Sequence, residues 1–370
     1  MSFAHRGPAG DEHLRPVRAD FSTSVNAYGP AEAVVDAVRA ATTPARLAAY
    51  PDPTCRAARE ALAAHAGVGL EWVAVGAGAA ELILAAALAF AHDVPGRGDA
   101  RVLVPRHAFG EYARAAELAG ARVVTLERAQ SMAEAVAAVR PRLAFLCTPE
   151  SPAGRAWSLG AVREVADACG AAGARLVLDQ SFDAFTREPL GTPALRGHPA
   201  VLHLRSLTKD HALAGVRVGY VVGTAEPVAA LDRVRMPWSV STAAQAAAVA
   251  ACTPAALAHA RRTTALLRDA AAVLRATFAP ACDVPSDVHY FLLRAGDDAR
   301  AGARVARALR ERHALRVRDC ASFGLPAYVR IAARTPPENA CFAAALADVL
   351  AHDRANLPHA PLRPPTVADL

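Results

Sequence analysis

Apolar residues in the first two thirds of the chain fall into short continuous runs, separated by stretches with helical spacing. Residues 73–75, 101–104, 122–126, 143–147, 176–179, 201–204 and 218–222 read as strands. Residues 56–66, 79–92, 111–119, 132–139 and 161–172 read as helices. Continuous apolar strands that alternate with helices predict an α/β fold, with a largely parallel sheet covered on both faces. The pattern changes after Pro237. An alanine-rich helical region over 242–277 is followed by strand 289–293, helix 303–313, strands 316–318 and 328–332, and helix 337–351. That order predicts a second, smaller α+β lobe. We expect an N-terminal arm over 1–30, a large domain over 31–245, a small C-terminal domain over 246–352 and a loose tail over 353–370. Proline and glycine punctuate the arm, and four prolines the tail.

Composition narrows the function classes. Of 370 residues, 53% are hydrophobic, ample for a buried core. The net charge is +6, but the arginines are scattered and no basic run is interleaved with aromatics, so nucleic acid is not expected as a partner. The seven cysteines are odd in number and far apart, with no CxxC pair and no HExxH, so neither a metal site nor a disulfide framework is expected. This suits a reducing cytoplasm. Residues 1–20 lack an apolar signal core, and the most apolar stretch, 79–91, is too short to span a membrane and carries Glu81.

Candidate chemistry centres on one residue. Lys209 is the only lysine in the chain, and every other basic side chain of the Lys+Arg count is arginine. Arginine stays protonated, whereas a lysine amine can lose its proton and form a Schiff base with an aldehyde. Lys209 follows the apolar strand 201–204, and Ser206 and Arg217 flank it with groups suited to phosphate. An amine beside a phosphate cradle is what pyridoxal phosphate requires. Gly76-Ala77-Gly78 lies between a strand and a helix, where backbone N–H groups can approach a phosphate. A dinucleotide loop or a plain tight turn would use the same residues. Asp179 ends an apolar strand, at the edge where ligands bind in parallel sheets, and an acid there can pair with a pyridine nitrogen. Phe109 is placed either to stack on a ring or to fill core. Arg330, in an alternating strand, faces either the cleft, where it would grip a carboxylate or phosphate, or solvent.

In this order the pieces resemble the fold-type-I pyridoxal-phosphate enzymes, in the group of histidinol-phosphate aminotransferase and threonine-phosphate decarboxylase, over about residues 18–350. The resemblance is carried by Asn26-Ala27-Tyr28-Gly29-Pro30, Tyr50-Pro51-Asp52-Pro53, Gly76 to Ile83, Phe109 to Tyr112, and the trio Ser206, Lys209 and Arg217. It implies a mostly parallel seven-stranded sheet sandwiched by helices and a homodimer with shared active sites. Lys209 would carry the cofactor and Asp179 hold its ring nitrogen. Phe109 would stack on the ring. Gly76, Ala77, Gly78, Ser206, Arg217 and Tyr50 of a second copy would surround the phosphate. Ser151 and Phe182 would border the phenolate oxygen, where relatives use asparagine and tyrosine. Asn26, Tyr28, His289 and Arg330 would meet a small anionic amino-acid substrate. Phe182, with the segments 236–240 and 318–325, is similar to the decarboxylase.

The expected activity is therefore chemistry at Cα of an anionic amino acid, with decarboxylation ahead of transamination or β/γ-elimination. A pyridoxal-phosphate fold that only binds a partner, and a nucleotide-binding oxidoreductase, are the readings from other classes.

Overall fold

In a computed structural model, the structure describes residues 16–92, 99–127, 131–191 and 193–356. Among the described residues there are twelve strands: β1 Ala19–Asp20, β2 Val73–Gly76, β3 Arg101–Pro105, β4 Arg122–Leu126, β5 Leu143–Cys147, β6 Arg175–Asp179, β7 Val201–Ser206, β8 Gly219–Val222, β9 Tyr290–Arg294, β10 Leu315–Arg316, β11 Arg318–Asp319 and β12 Tyr328–Ala332. Seven form one sheet in the order β2-β8-β7-β6-β5-β3-β4. β3 to β7 run parallel, and β8 pairs antiparallel with both β7 and β2. The continuous apolar runs follow from burial on both faces. Phe145 packs with Ile83 and Tyr112 under the helices on one face, while its neighbour Leu146 packs with Val162 and Leu176 on the other.

This topology positions the site. The C-terminal ends of β3, β5, β6 and β7 share one edge with the start of β8, and such an edge is where open α/β sheets bind ligands. Facing it is a three-stranded antiparallel sheet, β11-β12-β9, with its own core around Phe291, Ile331 and Phe342.

Several sequence expectations shift in detail. The helical region 242–277 is two helices, Thr242–Ala251 and Pro254–Thr277. Pro254 fits only a first turn, and Thr253 caps the second helix through its hydroxyl on the Ala256 N–H. Strand 316–318 is two short strands in different sheets. β10 pairs with β1, so the arm is stitched to the smaller lobe from Ala19, while β11 pairs with β12. The last helix, Pro336–Asn356, runs past the expected start of the tail. Residues 1–15, the first half of the expected arm, and 357–370 of the expected tail lie outside the described residues. Among the described residues no helix is long and apolar enough to cross a membrane.

Candidate active site

Between the two sheets lies a cavity of about 400 Å³, lined from the large sheet by Ala79, Ala80, Phe109, Tyr112, Ser151, Asp179, Phe182, Ser206, Lys209 and Arg217. Ser22–Val25 and, from the smaller lobe, Arg318, Ser322, Phe323 and Arg330 complete it.

Lys209 sits on the loop that joins β7 to β8, and the loop is closed where Ser206 pairs with Gly219. The backbone of Lys209 is held by the Asn26 N–H, which donates to its carbonyl at 2.9 Å. Its Nζ lies 5.6 Å from the Phe182 ring centroid. Burial, then the positive charges of Arg330 and Arg217, pull its pKa down from 10.5 to about 8, against the opposing charge of Asp179. The amine is thus near the point of losing its proton in neutral water, which an amine nucleophile needs.

One end of the cavity is built for an anion. The helix Ala79–Ala91 points its N-terminus there without a side-chain cap, which leaves first-turn N–H groups directed at the cavity. Gly78 has φ +89°, and a Cβ on it would stand 2.6 Å from Arg217 Nη2. The guanidinium tip could move aside, so it is the positive φ that calls for glycine there. At Gly219 the constraint is space, since a Cβ would lie 2.9 Å from the Arg205 carbonyl oxygen and 3.1 Å from the Ala79 nitrogen. Ser206 Oγ and Thr208 Oγ1 are 2.7 Å apart at the same end. Arg217 adopts φ 63°, a conformation costly for a side chain with a Cβ and found where surroundings enforce it.

The floor is acidic. Asp179 is buried at the end of β6, with the Ser181 N–H donating to Oδ1 at 2.9 Å and the Tyr112 hydroxyl to Oδ2 at 2.6 Å. Burial, then the charge of Asp179, raises the Tyr112 pKa well above its usual range, so the phenol keeps its proton and donates. Phe109 leans edge-on to Tyr112 at 5.8 Å and borders the cavity.

The roof is basic. Arg318 and Arg330 stand directly opposite each other on β11 and β12. Their guanidinium carbons lie 5.4 and 5.9 Å from the Phe323 ring centroid. Arg330 Nη1 donates to Ser151 Oγ at 3.1 Å and Nη2 to the Ser22 carbonyl at 3.0 Å. The Ser151 hydroxyl therefore accepts from Arg330 and still has its own proton to donate.

Seven residues expected at the site do not line this cavity. Gly76, Ala77 and Gly78 lie behind it, and the Ala77 N–H is taken by the Glu81 carboxylate. The first-turn positions that line it are Ala79 and Ala80. Asn26 is buried, and its Nδ2 donates to the Asp210 carbonyl at 2.8 Å and to Thr263 Oγ1 at 2.7 Å, so it braces the lysine loop. Tyr28 packs with the apolar cluster of Phe182, Phe185 and Tyr290. His289 is fully buried with its ring stacked on Phe185 at 3.7 Å. Tyr50 is 85% exposed and contacts Trp238 on the outer surface, at 5.4 Å between rings. Sequence reasoning in turn missed Thr208, Tyr112, Ala79 and Ala80 as individual site residues, together with Arg318.

A carbonyl-capturing amine, an anion pocket, a buried acid and an aromatic wall in one cavity fit the parts of pyridoxal phosphate: aldehyde, phosphate, ring nitrogen and ring. A family model for "Aminotransferase class I and II" matches residues 18–346. The chain belongs to this family. Pyridoxal phosphate is accordingly its cofactor, and it is an enzyme of the aminotransferase type. Among curated relatives of this aminotransferase-family chain, a histidinol-phosphate aminotransferase of Symbiobacterium thermophilum is 36% identical over 330 residues, covering 87% of each chain. A threonine-phosphate decarboxylase of Salmonella typhimurium is 32% identical over 356 residues, covering 90% of this chain and 91% of that one. In fold, the crystal structure of histidinol-phosphate aminotransferase from Sinorhizobium meliloti with pyridoxal-5'-phosphate superposes with a TM-score of 0.81, at 24% identity, covering 92% and 93% of the two chains.

Proposed function

We propose that this enzyme transfers the amino group of a small substrate bearing an anionic group remote from the amine. The observation that carries the reading is the pair Arg318 and Arg330, opposed across β11 and β12 on the cavity wall that faces Lys209. Two guanidiniums on one ring platform suit a phosphate or carboxylate, which arginine grips through parallel hydrogen bonds. Histidinol-phosphate aminotransferases among the relatives support the same class of substrate. The reading moves the expected main activity from decarboxylation to amino transfer.

Bound pyridoxal phosphate supplies an aldehyde to capture the amine and a ring that draws electrons from Cα. The residues of this chain do the rest. Ser206, Thr208, Arg217 and the N-terminus of helix Ala79–Ala91 hold the phosphate. Asp179, fixed by Tyr112 and Ser181, holds the ring nitrogen protonated. Phe109 covers one face of the ring. Arg330 and Arg318 fix the substrate anion and so the torsion about Cα. Lys209, its pKa near 8, accepts a proton at Nζ and returns it, as a general base and acid. Tyr50 of a second copy completes the phosphate site.

Amino-alcohol phosphates, amino-acid phosphates and dicarboxylic amino acids should be incubated with the holoenzyme in deuterated water. Keto or aldehyde product with the pyridoxamine form is expected, and Arg330→Met should raise KM for the anionic substrates about tenfold or more, the loss of a charge-assisted bond. Turnover that ignores the anion would sink the reading.

A second reading, decarboxylation, has one observation in its favour. Phe182 brings a hydrocarbon ring, not a phenol, beside Lys209. Release of CO₂ with a single deuteron at Cα would select it.

A further inference from the structure

His107 stands two residues before Phe109, on the turn after β3. Its Nδ1 lies 2.7 Å from the backbone carbonyl oxygen of Phe323, across 216 positions of sequence. A carbonyl only accepts, so Nδ1 is the donor and bears the proton whether or not the ring is charged. The contact joins the edge of the large sheet to the turn Ala321–Phe323 of the smaller lobe. The turn is shaped for it: Gly324 follows with φ +77°, and a Cβ there would meet His107 Nδ1 at 3.4 Å. Phe323 is the residue whose ring lies under both Arg318 and Arg330. Phe109, on the other side of the bond, borders the same cavity.

We propose that His107 is a positioning residue: its bond to Phe323 sets the separation between the ring-facing wall at Phe109 and the anion-binding wall at Arg318 and Arg330. The chain places these walls on different lobes. Arg330 is tied to the large lobe through Ser151, and the His107 bond adds a second tie on the Phe109 side of the cavity, where small misplacements of the anion against the reacting Cα are costly in rate. The inference rests on the reading of the two arginines given above.

The test uses the full-length holoenzyme with His107→Ala and His107→Asn. Asparagine can place its amide nitrogen where Nδ1 stands, so it is the rescuing variant. Two quantities are read. The first is KM against kcat for the anionic substrate: His107→Ala should raise KM by about tenfold, with a smaller change in kcat and unchanged affinity for pyridoxal phosphate. The second is amide hydrogen exchange over residues 318–325 without substrate, which should quicken in His107→Ala and return in His107→Asn. An alanine variant whose exchange over 318–325 stays at the wild-type rate overturns the proposal, as does an unchanged KM in an enzyme whose turnover depends on the anion, or an asparagine variant that behaves like alanine. Should the anion prove irrelevant to turnover while exchange still quickens, the functional reading fails and the tie between the lobes stands.

Discussion

The hydroxyl of Tyr112 donates to Asp179 Oδ2 at 2.6 Å, inside the protein, while the Ser181 N–H holds the other carboxylate oxygen. The acid proposed to meet the cofactor nitrogen is therefore oriented from both sides. Tyr112 is itself locked by stacking on Phe145 at 4.8 Å. Tyr112→Phe keeps the ring and removes the donor. We expect a weaker grip on pyridoxal phosphate by about 1 kcal/mol, several-fold in dissociation constant, with the apoprotein fold unchanged. Spectral titration of the apoenzyme with the cofactor measures it.

Lys209→Ala should abolish the covalent link to the cofactor. Borohydride reduction followed by mass measurement of the peptide covering 205–217 should give an adduct in the wild type and none in the variant. Activity should fall by orders of magnitude, as expected when the nucleophile and proton carrier are removed together.

The outward position of Tyr50 leads to a complementation test. If it serves a neighbouring copy, Tyr50→Ala and Lys209→Ala are each impaired, but a mixed dimer holds one intact site. Refolding the two variants together should restore roughly a quarter of wild-type activity, from statistical pairing in a two-fold dimer. No recovery above the separate variants argues for sites confined to single chains.

Two buried histidines contribute to the acid response. Burial, then the charge of Arg330, lowers the pKa of His289 from 6.5 to about 3. Burial, then Arg205, lowers His203 from 6.5 to about 4. Each stays neutral in the fold and takes up a proton on unfolding, so the unfolded chain binds more protons below pH 6.5. Their contribution is complete above pH 6.5 and is lost as pH falls toward 3 to 4. His289→Phe, which preserves a ring against Phe185, should flatten the loss between pH 6.5 and 4.5 by up to one proton, ~1.4 kcal/mol per pH unit. Denaturant midpoints across that range decide it.

The alternation of strands and helices was legible because both-face burial imposes continuous apolar runs, and Lys209 and Asp179 were legible because unusual residue types sit at strand ends. Other parts left no such mark. Ala79 and Ala80 contribute backbone N–H groups, which any sequence carries. The partnership of Arg318 with Arg330 depends on strand register, which side-chain identity does not encode. Asn26 was expected as a substrate contact from the resemblance of the arm alone. Its partners, Asp210 and Thr263, are 184 and 237 positions away and become visible only in three dimensions. His289, likewise expected from the resemblance, is a polar type stacked here as an aromatic plate on Phe185.

Like charges directly opposed on neighbouring strands repel one another. Arg318 and Arg330 bring that tension to the wall of the cavity proposed to take the substrate anion. A ligand with a negative tail relieves it, whereas a neutral analogue of equal size leaves the two like charges side by side. Selectivity then comes from a penalty imposed on the wrong compound as well as from a bond offered to the right one, and the enzyme should refuse uncharged amines more firmly than the count of lost contacts suggests.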